Sequence, residues 1–550
     1  MFKNQGSGTF IPTKAVEVKP EAQVDYDPKA QNQVRFLLPQ YLGFFTPSES
    51  KLNFNLKFTG RGRPQPSPRA GVHSLWRDYR IQDGTAQTTL EEVQDYNILT
   101  SQWWGYTQND SIAHKRNLFE GQSQDPGVGD SIYYSAGGDW ASAAVTTEPT
   151  AKELQISMPL YSGIMSGDKI FPLMATQGLR MQLTLDNISR ACTFQTGSLG
   201  VNPDTSADVN GVELKVAIAA ADMSKTAVGT EFTVDIKQPS DATSGRGVNR
   251  SAAPFNNNPF SIGDRLYVGV GGAAKSLGVI TKFDKDADGD LRISFIPDRA
   301  DATAIGADFA IGSPVYVVGS DRLNGVAVGN VPAAQIAAAA VAINYTISDI
   351  EWVLGVVSPP ASYVSSMVSQ MQSSKGLAMD FKTYSTYRVN LTATNGLTNQ
   401  LIPATAMRAY SVLSVPLAQE NQLSLSEDSL AGVTDGCQNY QYVLGGNLIP
   451  DRPIELARYT NLHPHTEALH LLELEKALVN CGYGVRDLQR VPEKFFIGRA
   501  FSKYGQVADL NSRDLSLRVE YSGATQQKMY NHYVCHLRRM VVSQGRVEAM

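Results

Sequence analysis

The chain has 550 residues, 42% hydrophobic and 18% charged, with a formal net charge of −5. This composition excludes a disordered or collagen-like chain, and the length is enough to bury a large core without covalent staples. The slightly acidic balance lacks the overall basic excess of a dedicated nucleic-acid binder, although it leaves room for a local basic patch.

Four cysteines (Cys192, Cys437, Cys481, Cys535) are scattered without a CxxC. That argues against a disulfide framework or a zinc ribbon and points to a reducing compartment. The N-terminus shows no apolar signal core. The most apolar stretch, Ile336 to Ile343, is far too short to span a bilayer, so secretion and membrane insertion are disfavoured.

In chain order, residues 1–33 are polar and dotted with proline and read as an extended or disordered arm. In KLNFNLKFTG, Leu52, Phe54, Leu56 and Phe58 alternate with Lys51, Asn53, Asn55 and Lys57. A two-residue period of this kind predicts a strand with one face on a core. Thr89-Leu90-Glu91-Glu92 matches a capping box and predicts a short helix after it, with Glu91 and Glu92 complementing the helix dipole. LRMQLTLDN repeats the alternation through Leu179, Met181, Leu183 and Leu185.

Residues 197–342 turn rich in Ala, Gly and Asp and carry their own strand signals, DRLYVGV, LGVITKF, DLRISFI and SPVYVV, which predict a small inserted β-barrel. Such an insertion is cheap because closure entropy grows only logarithmically with loop length. After Pro359-Pro360, Val364, Met367 and Met371 share one face of a predicted helix. A further helix is predicted through TEALHLLELEKALVNCG, with Thr466 as N-cap and Gly482 as stop. DLSLRVEYSG alternates again near the C-terminus. Antiparallel sandwiches joined by Gly- and Pro-rich turns fit this pattern.

A search for chemistry returns little. GxSxG, Walker A and HExxH motifs are absent. His463, His465 and His470 flank the last helix. His532, Cys535 and His536 lie on a predicted strand, where residues three apart point to opposite faces and do not converge on a metal. Asp284, Asp286, Asp288 and Asp290 resemble the opening of a calcium loop, but Phe295 stands where the closing glutamate belongs, and an Asp-Gly hairpin accounts for the same residues. Arg61 and Arg63 are of the kind that touches phosphates, although solvated loop arginines are the commoner case. Asn109, Asn187, Asn249, Asn344 and Asn390 head glycosylation sequons that an intracellular chain leaves unmodified. No cofactor or catalytic site is expected.

The order of several segments resembles the double-jelly-roll major capsid proteins of icosahedral DNA viruses, in the polinton-like virus and virophage branch. They are GVHSLWRDYRIQDG (Gly71 to Gly84), Leu154 to Asp186, YTISDIEWVLGVVSPP (Tyr345 to Pro360), Tyr384 to Ala418 and KFFIGRAFSKYGQVADLNSRDLSLRVEYSG followed by NHYVCHLRRMVV. The resemblance covers most of the chain outside 1–33 and 197–342.

It implies an all-β chain of two tandem eight-stranded jelly-roll sandwiches with a small β-rich domain inserted in the first. The units would be an arm at 1–33, a first jelly roll at 34–358 interrupted by 197–342, a linker helix at 359–375 and a second jelly roll at 376–550. It further implies a homotrimer that tiles a shell in the virion, a separate penton protein, minor or cement proteins as partners, and weak genome contact on the inner face. The insertion would face outward, and the arm would order on assembly.

Trp76, Trp103, Trp104 and Trp140 are candidates for the trimer interface, with a place in the first core as the competing reading. A carbohydrate-binding or adhesin-like sandwich, and a metal-dependent jelly-roll enzyme, are the other classes this fold admits.

Overall fold

A computed structural model describes residues 14–59, 64–67, 70–104, 120, 153–167, 169–194, 344–393, 395–419, 422, 429–430, 432–456, 468–484, 495–501, 507–524, 527–543 and 546–549, together with six strands between residues 223 and 317.

The alternating segments form the strands they predict. Leu52, Phe54, Leu56 and Phe58 are buried within Phe44–Thr59, while Lys51 and Lys57 are exposed. Leu179, Met181, Leu183 and Leu185 are buried in Leu179–Leu185, and Leu515, Leu517, Val519 and Tyr521 in Leu515–Tyr521.

These strands assemble into two sandwiches. The first consists, in chain order, of Lys14–Val18, Gln33–Leu38, Phe44–Thr59, Trp76–Asp83, Thr89–Val93, Glu153–Pro159, Leu179–Leu185 and Asn344–Val357. Numbered one to eight, they pair as 1-8-3-6 in one sheet and 2-7-4-5 in the other. The second consists of Leu377–Leu391, Gly396–Ile402, Ala409–Ala418, Cys437–Leu444, Asn447–Glu455, Ile497–Ala500, Leu515–Tyr521 and Lys528–Ser543. Its order is the same, 1-8-3-6 over 2-7-4-5. Eight antiparallel strands in two interleaved sheets are a jelly roll, and the chain carries two.

The links from even to odd strands share one end of each sandwich, and those from the second to the third and the fourth to the fifth strand are short, so this is the short-link end. There they are stitched by backbone hydrogen bonds: Leu173 N–H to Gly43 O and Gly84 N–H to Thr176 O in the first, Leu510 N–H to Ala406 O and Gly445 N–H to Asp514 O in the second. The links from odd to even strands, which include the longest ones, meet at the opposite, long-link end, where Asp186 N–H bonds Leu75 O and Ser522 N–H bonds Gly436 O. The segment between the seventh and eighth strands of the first sandwich carries a six-stranded antiparallel sheet, ordered Met223–Lys225, Phe232–Ile236, Leu291–Pro297, Lys275–Lys285, Arg265–Val268, Val315–Val317. All four strand signals of this region are strands, but among the described residues they make one open sheet and not a closed barrel.

Between the sandwiches, Ala361–Gln372 is helical behind Pro360 and buries Met367, with Val364 and Met371 packed against the core. Ala468–Cys481 is the other predicted helix, ended by Gly482 at φ +101°; Thr466 lies outside the described residues.

Three expectations are corrected. Lys14–Val18 is no free arm but the first strand, paired with Trp352 to Val356, and Tyr26 is fully buried and bridges Ile347. A sheet edge with open N–H and C=O groups recruits even this polar segment. Thr89–Val93 is a strand and not a helix start; the helix begins at Tyr96. Trp76 is fully buried, its indole N–H donating to Met158 Sδ at 3.2 Å, so it belongs to the first core and is no interface residue.

Candidate functional site: the seam between the sandwiches

The fifth strand of the first sandwich runs along the first strand of the second, and two buried carboxylates fasten the sandwiches there. Leu90 and Val93 turn into the first core, which leaves Glu91 facing the seam, fully buried. Glu91 accepts from Gly163 N–H at 2.7 Å, Ile164 N–H at 3.1 Å and the Thr383 hydroxyl at 2.8 Å, the last belonging to the second sandwich. Three donors replace the water that a buried carboxylate has lost.

Asp95, also fully buried and at φ +50°, follows the same strand. Its carboxylate accepts from Asn531 Nδ2 at 3.0 Å, Arg388 Nε at 2.6 Å and Arg190 Nη2 at 3.3 Å, and its carbonyl accepts from the Tyr533 hydroxyl at 2.8 Å. Asn531, Tyr533 and Arg388 lie on the second sandwich; Arg190 lies in the long link that leads to the inserted sheet. Burial works to lower the Arg190 pKa, but Asp186 and Asp95 outweigh it and hold the guanidinium above its ordinary value. A buried charge cluster of this kind sets geometry more than it adds net stability.

The same ends of the two sandwiches meet. At the long-link end, Gln102 Nε2 donates to Leu430 O at 2.5 Å, and the Ser429 hydroxyl reaches Ser189 O and Arg190 O at 3.3 and 3.2 Å. At the short-link end, Lys169 Nζ reaches Asp380 O at 3.4 Å and the Thr88 hydroxyl bonds Val547 O at 3.0 Å. The sandwiches therefore stand side by side in one orientation.

Gly163 allows their closest approach. A Cβ there would lie 1.8 Å from the Lys382 carbonyl oxygen. Gly163→Ala is thus expected to force the seam apart and cost roughly 1–3 kcal/mol or more, seen as a lower thermal midpoint, whereas Gly446→Ala, with open space around it despite its positive φ, loses less.

The residues singled out for chemistry do not converge. Along Lys528–Ser543, Tyr530 and Val534 enter the second core while Tyr533 and Cys535 face the cluster that runs across the seam, so His532 and Cys535 point apart. His532 Nδ1 pairs with the Ser414 hydroxyl at 2.7 Å, which resembles an activated nucleophile. The pair is fully buried, His532 Nε2 has no hydrogen-bond partner, and burial pushes the imidazole down to about 3, so it is a poor base that no substrate reaches. His470 is buried beside Tyr440, with Nδ1 2.9 Å from its hydroxyl.

Among the described residues, no group of three or more His, Cys, Asp or Glu is placed to hold a metal ion. The four cysteines are buried and unbridged. Asp284 and Arg292 are register partners in a hairpin, while Asp286, Asp288 and Asp290 lie outside the described residues. So do Arg61, Arg63, His463, His465, Trp140 and the side chains of Trp103 and Trp104. No helix among the described residues is long and apolar enough to cross a membrane.

Sequence reasoning missed Glu91 as a seam residue, and Asp95 altogether. The fold is that of a double jelly roll with an inserted β sheet. Among solved structures, the Faustovirus major capsid protein superposes with a TM-score of 0.51 at 8% identity, over 98% of this chain and 92% of that one. PBCV-1 VP54, as fitted into a reconstruction of the virophage Sputnik, gives a TM-score of 0.47 at 9% identity, over 100% and 98%. The likeness is one of fold. No family model matches the sequence, and no curated protein does.

Proposed function

We propose that this chain is a structural protein, the major capsid protein of an icosahedral DNA virus, which forms homotrimers that tile the shell. The observation that carries the reading is the doubling: two sandwiches of identical strand order, held side by side in one orientation by a buried seam. Three such chains make six similar lobes around a threefold axis. Cyclic contacts close that ring and leave its outer edges free for lattice contacts. Each lattice contact is weak, and many copies acting together hold the shell. The Faustovirus protein of this fold is itself a major capsid protein.

On this reading the chain resides in the virion, performs no catalysis and needs no cofactor. Its partners are its own copies, a penton protein and minor or cement proteins, with weak genome contact on the inner face. The units are a first jelly roll to 358, extended upstream to Lys14, the 197–342 insertion, a linker at 359–375 and a second jelly roll at 376–550. The inserted sheet leaves from the long-link end, so that end faces outward and the short-link end inward.

Size-exclusion chromatography with light scattering tests the reading. The expected mass is three times 59.7 kDa, about 179 kDa, with no monomer at working concentration. A stable monomer that binds glycans would overturn it in favour of a lectin or adhesin.

A further inference from the structure

Two of the unbridged cysteines meet beside the seam. Cys535 lies on the eighth strand of the second sandwich. Cys481 closes the helix Ala468–Cys481, which packs across the third and sixth strands of that sandwich. Ser411 joins them: it is the cross-strand partner of Cys535, and its hydroxyl lies 2.8 Å from Cys481 Sγ. Cross-strand partners share one face of a sheet, so the Cys535 thiol and the Ser411 hydroxyl both face the helix end. The helix comes this close because Gly498 offers it no side chain. A Cβ there would lie 2.7 Å from Leu474 Cδ1 and 3.0 Å from Ala477 Cβ.

The pair is asymmetric. Lys382 Nζ rests on the Asn480 carbonyl at 2.7 Å, one residue before Cys481, and puts a cation at the negative end of the helix. Burial works to raise the Cys481 pKa, but contacts with Cys535 and Ser411 and the Lys382 charge outweigh it and hold the thiol below its ordinary value. Cys535 is held well above its own by its contact with Cys481 and by burial. Cys481 therefore has the character of an attacking thiolate and Cys535 that of a resolving thiol. Cys481 is also the more open, 7% exposed against 0%, and Gly482 beyond it has open space around it. Cys192 and Cys437 lack this setting: burial pushes Cys192 well up and Cys437 up to about 12, which leaves both as inert thiols.

We infer that Cys481 and Cys535 are a redox pair that closes to a disulfide under hydrogen peroxide, stapling the helix to the eighth strand. The Cys481 thiolate attacks one peroxide oxygen. The O–O bond breaks, sulfenic acid forms, and the departing hydroxide takes up a proton. The Cys535 sulfur then attacks Cys481 Sγ, and its proton leaves with the sulfenic hydroxyl as water. One S–S bond forms, the two sulfurs are oxidised, and the peroxide is reduced to water. This chemistry goes beyond the capsid reading and does not depend on it. That reading supplies only the occasion, a particle that leaves a reducing cell and stiffens outside it.

The test treats the folded full chain, freed of reductant, with hydrogen peroxide, then denatures and alkylates it for peptide mass mapping. The expected product is a peptide pair joining Cys481 to Cys535 within one chain, with Cys192 and Cys437 alkylated. Dithiothreitol reverses it, and the closed form has the higher denaturant midpoint. Cys535→Ser is expected to stop at the sulfenic acid, which dimedone traps at Cys481, whereas Cys481→Ser leaves Cys535 without a dimedone adduct. Alkylation of every cysteine after peroxide, a bond between chains, or oxidation of Cys192 or Cys437 as fast as Cys481 each overturns the inference. So does Cys481 found as sulfinic acid while Cys535 is still alkylated. These outcomes are read on the parent chain and need no variant to fold. Light scattering in reductant judges the capsid reading separately.

Discussion

Asp95→Asn is expected to lower the stability of the folded chain by about 3 kcal/mol, more than any conservative change at the surface. Asp95 is fully buried, and two guanidinium groups and an amide converge on its carboxylate. Removing one partner from a buried charge cluster typically costs 3–5 kcal/mol, because the remaining charge is left without compensation. The lower end applies here: Arg190 keeps Asp186, 3.5 Å from its Nε, and the half-exposed Arg388 can turn to water. Asparagine tolerates the left-handed backbone that position 95 requires, so the change isolates the charge. Asp349 offers a matched control, since it too has a positive φ, +48°, but is exposed. Asp349→Asn is expected to stay within about 0.5 kcal/mol. The shift in denaturant midpoint measures both. Equal losses in the two variants would mean that Asp95 acts through its backbone and not as the clamp of the seam.

That clamp could not be read from the sequence, and its partners explain why. Asp95 meets residues 293 and 436 positions away. Glu91 meets a hydroxyl 292 positions away, so only the helix-like Thr89-x-x-Glu92 spacing around it was visible locally. Two carboxylates in TLEEV suggest solvent, yet the strand is covered on both faces, one by each sandwich.

Trp76 was obscured differently. A register shift between Trp76 and Asp78 adds one residue, so that Trp76 joins Tyr79 and Ile81 on the core face and the alternation is broken. The first strand, KAVEV, carries no core stripe because it lies at a sheet edge and is mostly exposed. The strands that bury one whole face, by contrast, announced themselves by period alone, while their division into two sandwiches about the diproline joint came from the family resemblance. Where one neighbour sets a residue's environment, the local pattern reports it; where two sandwiches share a residue, it does not.

The second sandwich should weaken steeply in acid, because two histidines are folded into it uncharged. Burial pushes His470 down to about 4 and His532 down to about 3. His470 faces the Tyr440 hydroxyl, stacks on Phe495 and shares its helix with Glu473, which is engaged by Arg499 and Lys476. His532 faces the Ser414 hydroxyl and stacks on Tyr530. Neither has a carboxylate contact that would hold an imidazolium. The unfolded chain takes up these protons near pH 6.5, the folded chain only near 4 and 3. Stability is therefore fully present above about pH 6.5 and declines as the pH falls from there toward those folded values. Each histidine contributes about 1.4 kcal/mol per pH unit across that window. From pH 7 to pH 4.5 the pair should remove on the order of 5 kcal/mol, a large part of what holds a domain folded. His470→Asn/His532→Asn keeps a polar atom near each Nδ1 and cannot titrate. Its denaturant midpoint should start lower at pH 7, because the smaller side chains leave cavities, and then fall much less than that of the parent chain between pH 6.5 and 4.5. Parallel curves for the two proteins would show that these histidines are not the source of the acid sensitivity.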